Sequence, residues 1–441
     1  MKKTSTFSPT RVSMAVAVVC VGISMPAFAQ VAAKVTGRVQ FDARNHTNST
    51  ATVDDRDSAN YADNYEIRRA RIGVSGTINK DIAYEVVGNA VGSSTNFVDT
   101  AFANYGFNKA AQFRAGRFKQ PFSLEELTSS NSIDFMERSY GSQFSPGKKL
   151  GIMFHGVPTK GVTYAISSFQ QDFEQKVSSQ NLGQSNAARL AVNLAEMQGI
   201  EDSVIHLGYG TAKIFKKLNN KTSSSGGTTT TATVLSMRSE NRGINNAYRI
   251  RLNGDSLSST GYSAVGQTLT SVDSALKGTE FALARGPFKF QMENFNNNVN
   301  ATSVGGSANL KVAANYYEVM YNITGESWSK AYKGGAFSGI TPGSIFMKDY
   351  GGVVGNGIGA WQVGYRISDY KVTEGTVTSS STGSPTGKTS TLALNWLLNK
   401  NARVMLNYSE TDFGTSFTPV DTSGTTIDSE RTISLRTQVN F

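Results

Sequence analysis

Segment after segment of this chain alternates apolar and polar side chains over about ten residues, the length of a tilted strand that crosses a membrane. In Lys34 to Arg44, one face carries Val35, Gly37, Val39, Phe41 and Ala43, and the other Lys34, Thr36, Arg38, Gln40, Asp42 and Arg44. Arg69 to Ile78 splits the same way, with Ala70, Ile72, Val74 and Ile78 opposite Arg69, Arg71, Gly73, Ser75 and Thr77. The pattern returns around Arg189, Arg366 and Arg403. It ends in Thr432 to Phe441, where Ile433, Leu435, Val439 and Phe441 oppose Arg436, Gln438 and Asn440. Successive side chains of a strand point to opposite faces, so such a chain builds a sheet with one apolar and one polar face. Two all-β folds satisfy this: a soluble sandwich with water outside, or a barrel with lipid outside and a polar lumen.

The N-terminus favours the barrel. Lys2, Lys3 and Arg11 precede an apolar stretch from Met14 to Ser24 and the small-residue site Ala27-Phe28-Ala29, which reads as a cleaved export signal over residues 1–29. The exported part, 30–441, then forms one domain. Cys20, the single cysteine, falls inside the leader, so neither a disulfide nor a thiolate metal site is expected. Lys2, Lys3 and Arg11 account for three of the formal +10, which leaves +7 on the exported chain. Export argues against nucleic acid as the partner of that charge; a lumen attractive to anions fits it.

Connections carry further information, because outer-membrane barrels join strands by short turns on one side and long loops on the other. Short connections are expected at Asn79 to Asp81, Asn108 to Ala110, Val157 to Lys160, Gly286-Pro287 and Asn399 to Asn401. Long ones are expected at Asn45 to Asp63, Gln120 to Lys149, Gln171 to Ser185, Lys216 to Leu276, Asn296 to Val312 and Thr373 to Gly387. Thr324 to Gly357 breaks the rule, being long where a short turn belongs. The strand count is 16 with Tyr248 to Leu252 as an extended piece of the long external loop, and 17 with it in the sheet. Even numbers favour 16. The run Thr222 to Thr233 is rich in Ser, Gly and Thr and reads as loop.

Catalysis finds no footing in the exported chain. His46, His155 and His206 lie far apart, and no strained Gly-x-Ser-x-Gly turn is present. Glu125, Glu126, Asp134 and Glu137 cluster in one loop and read as field or structural charges. No nucleotide, zinc or calcium motif calls for a cofactor. A receptor or adhesin would need a filled lumen, whereas sixteen strands ordinarily leave a channel.

Several segments together resemble the phosphate-selective porin O and P family of Gram-negative outer membranes. They are Arg68-Arg69-Ala70-Arg71-Ile72-Gly73, the run from Gly116 to Ser130, Phe135-Met136-Glu137-Arg138, Gly286-Pro287-Phe288, Thr324-Gly325-Glu326, Gly335-Ala336-Phe337, Gly359-Ala360-Trp361 and Leu394-Asn395-Trp396. The resemblance implies an outer-membrane homotrimer of 16-stranded antiparallel barrels among lipid and lipopolysaccharide, passing small anions such as phosphate. It also implies an inward-folded third loop, here 120–149. Its narrow point would fall on Arg138, Ser129, Ser130 and Asp99, with Arg68 and Arg69 on the wall and Arg249, Arg251 and Arg71 along the approach.

A guanidinium suits this task, since its planar fork matches phosphate oxygens and keeps its charge. Plainer readings stand beside the transferred roles: Arg68 beside lipid headgroups, Ser129 and Ser130 as turn residues, Lys148 and Lys149 as solvated charges. Two departures weaken the match: Glu126 stands where a lysine is expected, and Ala83 where a base can lie. The expectation is therefore a porin that prefers anions, with a general, weakly selective porin as the alternative.

Overall fold

The structure is a computed structural model. It describes residues 31–48, 64–91, 97–170, 184–218, 229–244, 247–256, 270–303, 306–346, 357–377, 381–417 and 426–441. The leader, with its proposed cleavage site, lies outside them. Sixteen antiparallel strands close into a barrel. In chain order they are β1 Val31–Asn48, β2 Asn64–Ile78, β3 Ile82–Asn89, β4 Val98–Gly106, β5 Gln112–Lys119, β6 Lys148–Thr159, β7 Val162–Gln170 and β8 Ser185–Asn193. They continue as β9 Ser203–Leu218, β10 Thr270–Arg285, β11 Phe288–Ser303, β12 Gly306–Asn322, β13 Ala360–Val377, β14 Thr386–Leu397, β15 Ala402–Phe417 and β16 Ile427–Asn440.

Closure comes from β1 pairing with β16, Arg38 opposite Asn440 and Asp42 opposite Arg436. The ring leaves no edge strand, so backbone polar groups are satisfied without water, as a bilayer demands. Alternation places its faces as expected. Val39, Ile72, Leu190, Tyr365, Leu406, Leu435 and Phe441 are exposed on the outer wall, while Arg38, Gln40, Arg189, Arg366 and Arg436 are buried on the inner one.

Several connections differ from expectation. β11 and β12 run on through 296–312 as a hairpin paired from Phe288↔Tyr321 to Ser303↔Gly306, so no long loop lies there. Asparagines at Asn296, Asn298 and Asn300 made that stretch look like loop, yet Phe295, Asn297 and Val299 turn inward and are buried. β13 likewise continues to Val377, past the expected start of its loop. The proposed third loop ends before Lys148 because β6 begins there. Leu194 does not extend β8 but opens a short helix, Leu194–Gln198.

Tyr248–Ser256 is a strand outside the barrel. It pairs with Thr229–Met237 and Ser381–Gly383 in a separate three-stranded sheet. The Ser-, Gly- and Thr-rich run thus ends in a strand from Thr229 on; its earlier part lies outside the described residues. This sheet turns its apolar side inward. Leu235, Met237, Tyr248 and Ile250 share one core with Leu276, Val299, Leu310 and Val312 of the inner wall.

The third loop, 120–147, packs in the lumen, and wall side chains answer its carbonyls. Gln40 Nε2 donates to Ser130 O at 3.2 Å, Gln438 Nε2 to Asn131 O at 3.1 Å and Arg403 Nη1 to Ile133 O at 2.9 Å. Asn395 Nδ2 follows to Asp134 O at 2.8 Å, Arg436 Nη1 to Met136 O at 2.7 Å and Arg366 Nη2 to Glu137 O at 2.8 Å. Buried carbonyls without partners would each cost on the order of 1–3 kcal/mol, so this row decides where the loop sits.

Arg436 also forms a two-pronged pair with Asp42, 2.6 and 2.7 Å, both residues being wholly buried. Arg436→Met leaves Asp42 with Arg44 as its one remaining cation among the described residues and Met136 O without its donor. Breaking such a pair costs about 3–5 kcal/mol, so the denaturation midpoint of the folded barrel in detergent should fall clearly. Asp42→Asn in the same chain should recover part of the loss.

Candidate functional site

Water-accessible lumen lies along one side. Lumen residues of β8 to β16 such as Ala187, Gln291, Ser368 and Thr432 are buried under the third loop and the inner sheet. On β2 to β5, Arg69, Arg71, Glu85 and Arg114 keep partial exposure. The passage therefore runs past the wall that carries cations.

Early in the third loop stands Ser123, whose φ of 69° is uncommon for a residue with a Cβ. Its hydroxyl accepts from Glu126 N at 3.1 Å and donates to Glu293 at 3.3 Å. Glu293 also accepts from Leu124 N at 2.9 Å and Glu125 N at 2.7 Å, which pins the start of the short helix Leu124–Leu127. Glu125 is a second anchor, taking Ser139 Oγ at 2.6 Å and Arg366 Nη1 at 3.0 Å. Both fasten the loop, Glu293 through hydrogen bonds and Glu125 also through its pair with Arg366.

Of the residues proposed for the narrow point, the structure brings Arg138, Ser130 and Asp99 into one neighbourhood, and adds Arg71, Arg38, Lys119 and Lys148. Arg138 Nε donates to Glu125 O at 3.1 Å and Nη2 to Thr128 O at 2.8 Å, and among the described residues Nη1 makes no hydrogen bond. Glu126 lies 3.4 Å from Arg138 Nε and 3.8 Å from Lys119 Nζ. Lys119 also donates to Glu126 O and Thr128 O. Ser130 Oγ accepts from Arg38 Nη1 at 2.9 Å. Ser129 behaves as an ordinary turn residue, exposed, with its hydroxyl accepting from Asn131 N at 3.3 Å.

Asp99 is flanked by Arg71 Nη2 at 2.7 Å and by Lys148 Nζ. Lys148 is thus part of the site rather than a solvated loop charge, and Arg71 stands at the narrowing rather than on the approach. Among the described residues, the Nε atoms of Arg38 and Arg71 are buried without an acceptor, a trait they share with those of Arg366 and Arg403. Arg38, Arg71, Lys119, Arg138 and Lys148 are close enough to act on one another electrostatically, and Asp99 and Glu126 are the acids that answer them there.

Above this group stands Glu137, within 3.0 Å of Arg44, 3.3 Å of Arg68 and 3.4 Å of Arg436. Burial works against its charge, but Arg68, Arg242, Arg44 and Arg436 together hold its carboxyl well below the usual carboxylate range. Arg68 faces the lumen because of a β-bulge: Ile67 pairs with Phe41 and Arg69 with Gln40, so Arg68 is the extra residue. That settles its side against the lipid-headgroup reading. Arg69 Nη1 donates to Gln40 Oε1 at 2.7 Å. Arg249 is buried in the inner sheet, away from open water. The side chain of Arg251 lies outside the described residues.

Arg436, Arg366, Arg189 and Arg403 do not form the free basic lining that alternation suggested. Arg436 pairs with Asp42, Arg366 with Glu125 and Glu240, and Arg189 with Glu280, while Arg403 donates to Ile133 O and Gln438. Alternation reports which face a side chain takes; it carries no record of a loop, distant in sequence, that later covers that face.

A closed sixteen-stranded barrel with an inward loop and a cationic narrowing defines a porin. The chain belongs to the phosphate-selective porin O and P family, which it matches over residues 33–441, and is a porin of the outer membrane. Porin O of Pseudomonas aeruginosa is 25% identical over 368 residues, 80% of this chain and 77% of that protein. Among solved structures, OmpT of Vibrio cholerae superposes with a TM-score of 0.50 at 12% identity, covering 93% of this chain and 98% of its own. The anion-selective porin from Comamonas acidovorans gives 0.50 at 11% identity, covering 93% and 100%. These two likenesses concern the fold.

Glu126→Gln removes the acid between Lys119 and Arg138. One charge at about 4 Å in a watery path is worth ~1 kcal/mol, roughly fivefold in local anion occupancy. The reversal potential in a KCl gradient should move toward the chloride limit.

Proposed function

We propose that this porin carries small anions into the cell by passive diffusion, phosphate and related oxyanions among them. The observation that carries the reading is the imbalance at the narrowing: Arg38, Arg71, Arg138 and Lys148 against Asp99 and Glu126. An anion arriving past Arg68 and Arg69 would meet the partly exposed guanidinium groups of Arg138 and Arg71, beside the Ser130 hydroxyl. Guanidinium donors match its oxygens, and charge-assisted hydrogen bonds make good the water it leaves behind. Asp99 orients Arg71 and Lys148 rather than contacting the anion.

Glu126 favours broad anion preference over tight phosphate selection, because it already occupies Lys119 and Arg138. That weakening suits transport, since an ion must leave as readily as it enters. Assembly as a homotrimer belongs to the same proposal, on the family resemblance. The short strands β3, β4 and β5 also support it, with small Ala101, Ala103 and Ala115 on their outer face. Lipid and lipopolysaccharide would cover the remaining outer wall, and the exported chain would begin near Gln30.

Single-channel recording in planar bilayers tests the proposal. With salts of a large anion and a large cation in turn, the large anion should depress current more; cation preference would overturn the reading. Phosphate added to a chloride bath should reduce chloride current, and Arg138→Ala should relieve that block more than Lys149→Ala. Equal effects of the two would remove Arg138 from the site.

A further inference from the structure

The chain between β12 and β13 does not simply turn at the periplasmic end. Trp328 and Phe337 from this connection are 1% and 4% exposed, and they share an apolar cluster with Leu124 and Phe135 of the third loop. A short ladder, Tyr332–Lys333 with Ala336–Phe337, stiffens the segment. Lys289, inward on β11, stands where the two inserts meet. Its Nζ pairs with Asp134 of the third loop and, at 3.1 Å, with Glu318 of the wall. The same atom lies 4.7 Å from the Trp328 ring centre and 4.9 Å from that of Phe337, within cation–π range. A second attachment holds the segment from the other side: Arg189 Nη2 donates to Gly335 O at 2.8 Å, and His206 Nδ1 shares a hydrogen bond with Tyr332 Oη at 2.6 Å. Arg189 and His206 are themselves held by Glu280.

We infer that the inward part of this periplasmic connection is a strut that fixes the position of the constriction loop, with Lys289 as the positioning residue at the joint. Wall donors hold the loop's carbonyl edge, and on its apolar underside the Arg366 guanidinium lies 4.5 Å over the Phe135 ring while wall side chains such as Met320 and Ala360 join the cluster. Trp328 and Phe337 complete that cover from the periplasmic side. Lys289 is buried, so it needs both carboxylates; losing either partner leaves a charge in a dry site. The loop and the strut are thereby locked to one wall position, and pore width depends on residues that do not line the pore. This inference requires only that the chain is a porin, so it stands or falls separately from the preferred ion.

Conductance of Lys289→Met and Phe337→Leu channels tests the inference, with heat-shifted gel mobility confirming a folded barrel. Both should show raised open-channel conductance and raised current noise, since the loop is released on its underside. A tether supplies the specific control. A Cβ at Gly339 would come 3.2 Å from Ser132 Oγ, so Ser132→Cys with Gly339→Cys joins strut to loop. Built into the Phe337→Leu channel, the oxidised tether should return conductance and noise toward wild type, and reduction should reverse this. Should Lys289→Met fail to fold, Phe337→Leu with the tether carries the comparison alone. Folded variants with wild-type currents, or a tether that restores nothing, overturn the strut.

Discussion

Backbone carbonyls of the third loop are carried into a lumen where water is scarce, and each must find a donor. The wall supplies them from β1, β13, β14, β15 and β16 as Gln40, Arg366, Asn395, Arg403, Gln438 and Arg436. Much of the narrow point follows from this row. It determines the height of residues 130–137, and so which wall cations Arg138 and Ser130 can face. It also occupies arginines that would otherwise line open water. The unfavourable alternative, a row of unsatisfied buried carbonyls, makes the loop's position steep in energy rather than loosely held.

An arginine that anchors and an arginine that meets an ion differ in what surrounds them. Arg436 and Arg366 are enclosed, neutralised by Asp42 or by Glu125 and Glu240, and their donors point at loop carbonyls. Arg71 and Arg138 stay partly exposed, and the acids beside them, Asp99 and Glu126, are shared with Lys148 and Lys119. A channel needs both kinds. Fully neutralised charges hold geometry because removing one partner is costly; incompletely neutralised ones leave a field for a passing ion.

Acids inside the site have a comparable division of labour. Asp99 stands between Arg71 and Lys148 and sets their directions. Glu126 stands beside Lys119 and Arg138 and takes part of their charge. An acid in a cationic pore can thus sharpen geometry or weaken the field, according to whether its cations still face the passage. Glu293 does neither and acts through hydrogen bonds alone, fastening the loop's first turn.

By itself the sequence determined the class of fold, because side-chain period and the need to satisfy backbone groups in lipid leave little choice. Alternation in Lys34 to Arg44, Arg69 to Ile78 and Thr432 to Phe441 assigned inner and outer faces correctly, and the family's motifs located the third loop. Turn reading failed where strand chemistry was ambiguous: exposed asparagines between 296 and 300 belong to a strand whose inward partners were the informative residues. The function of each arginine was beyond local reading. Arg68 and Arg69 are neighbours in sequence, yet a bulge turns both inward. Arg436 and Arg71 look alike on their strands, yet one anchors a loop and the other flanks Asp99. Only tertiary structure decided these, because charge pairing and exposure depend on segments hundreds of residues away, Arg436 on Met136 and Arg366 on Glu125, and strand period holds no information about them.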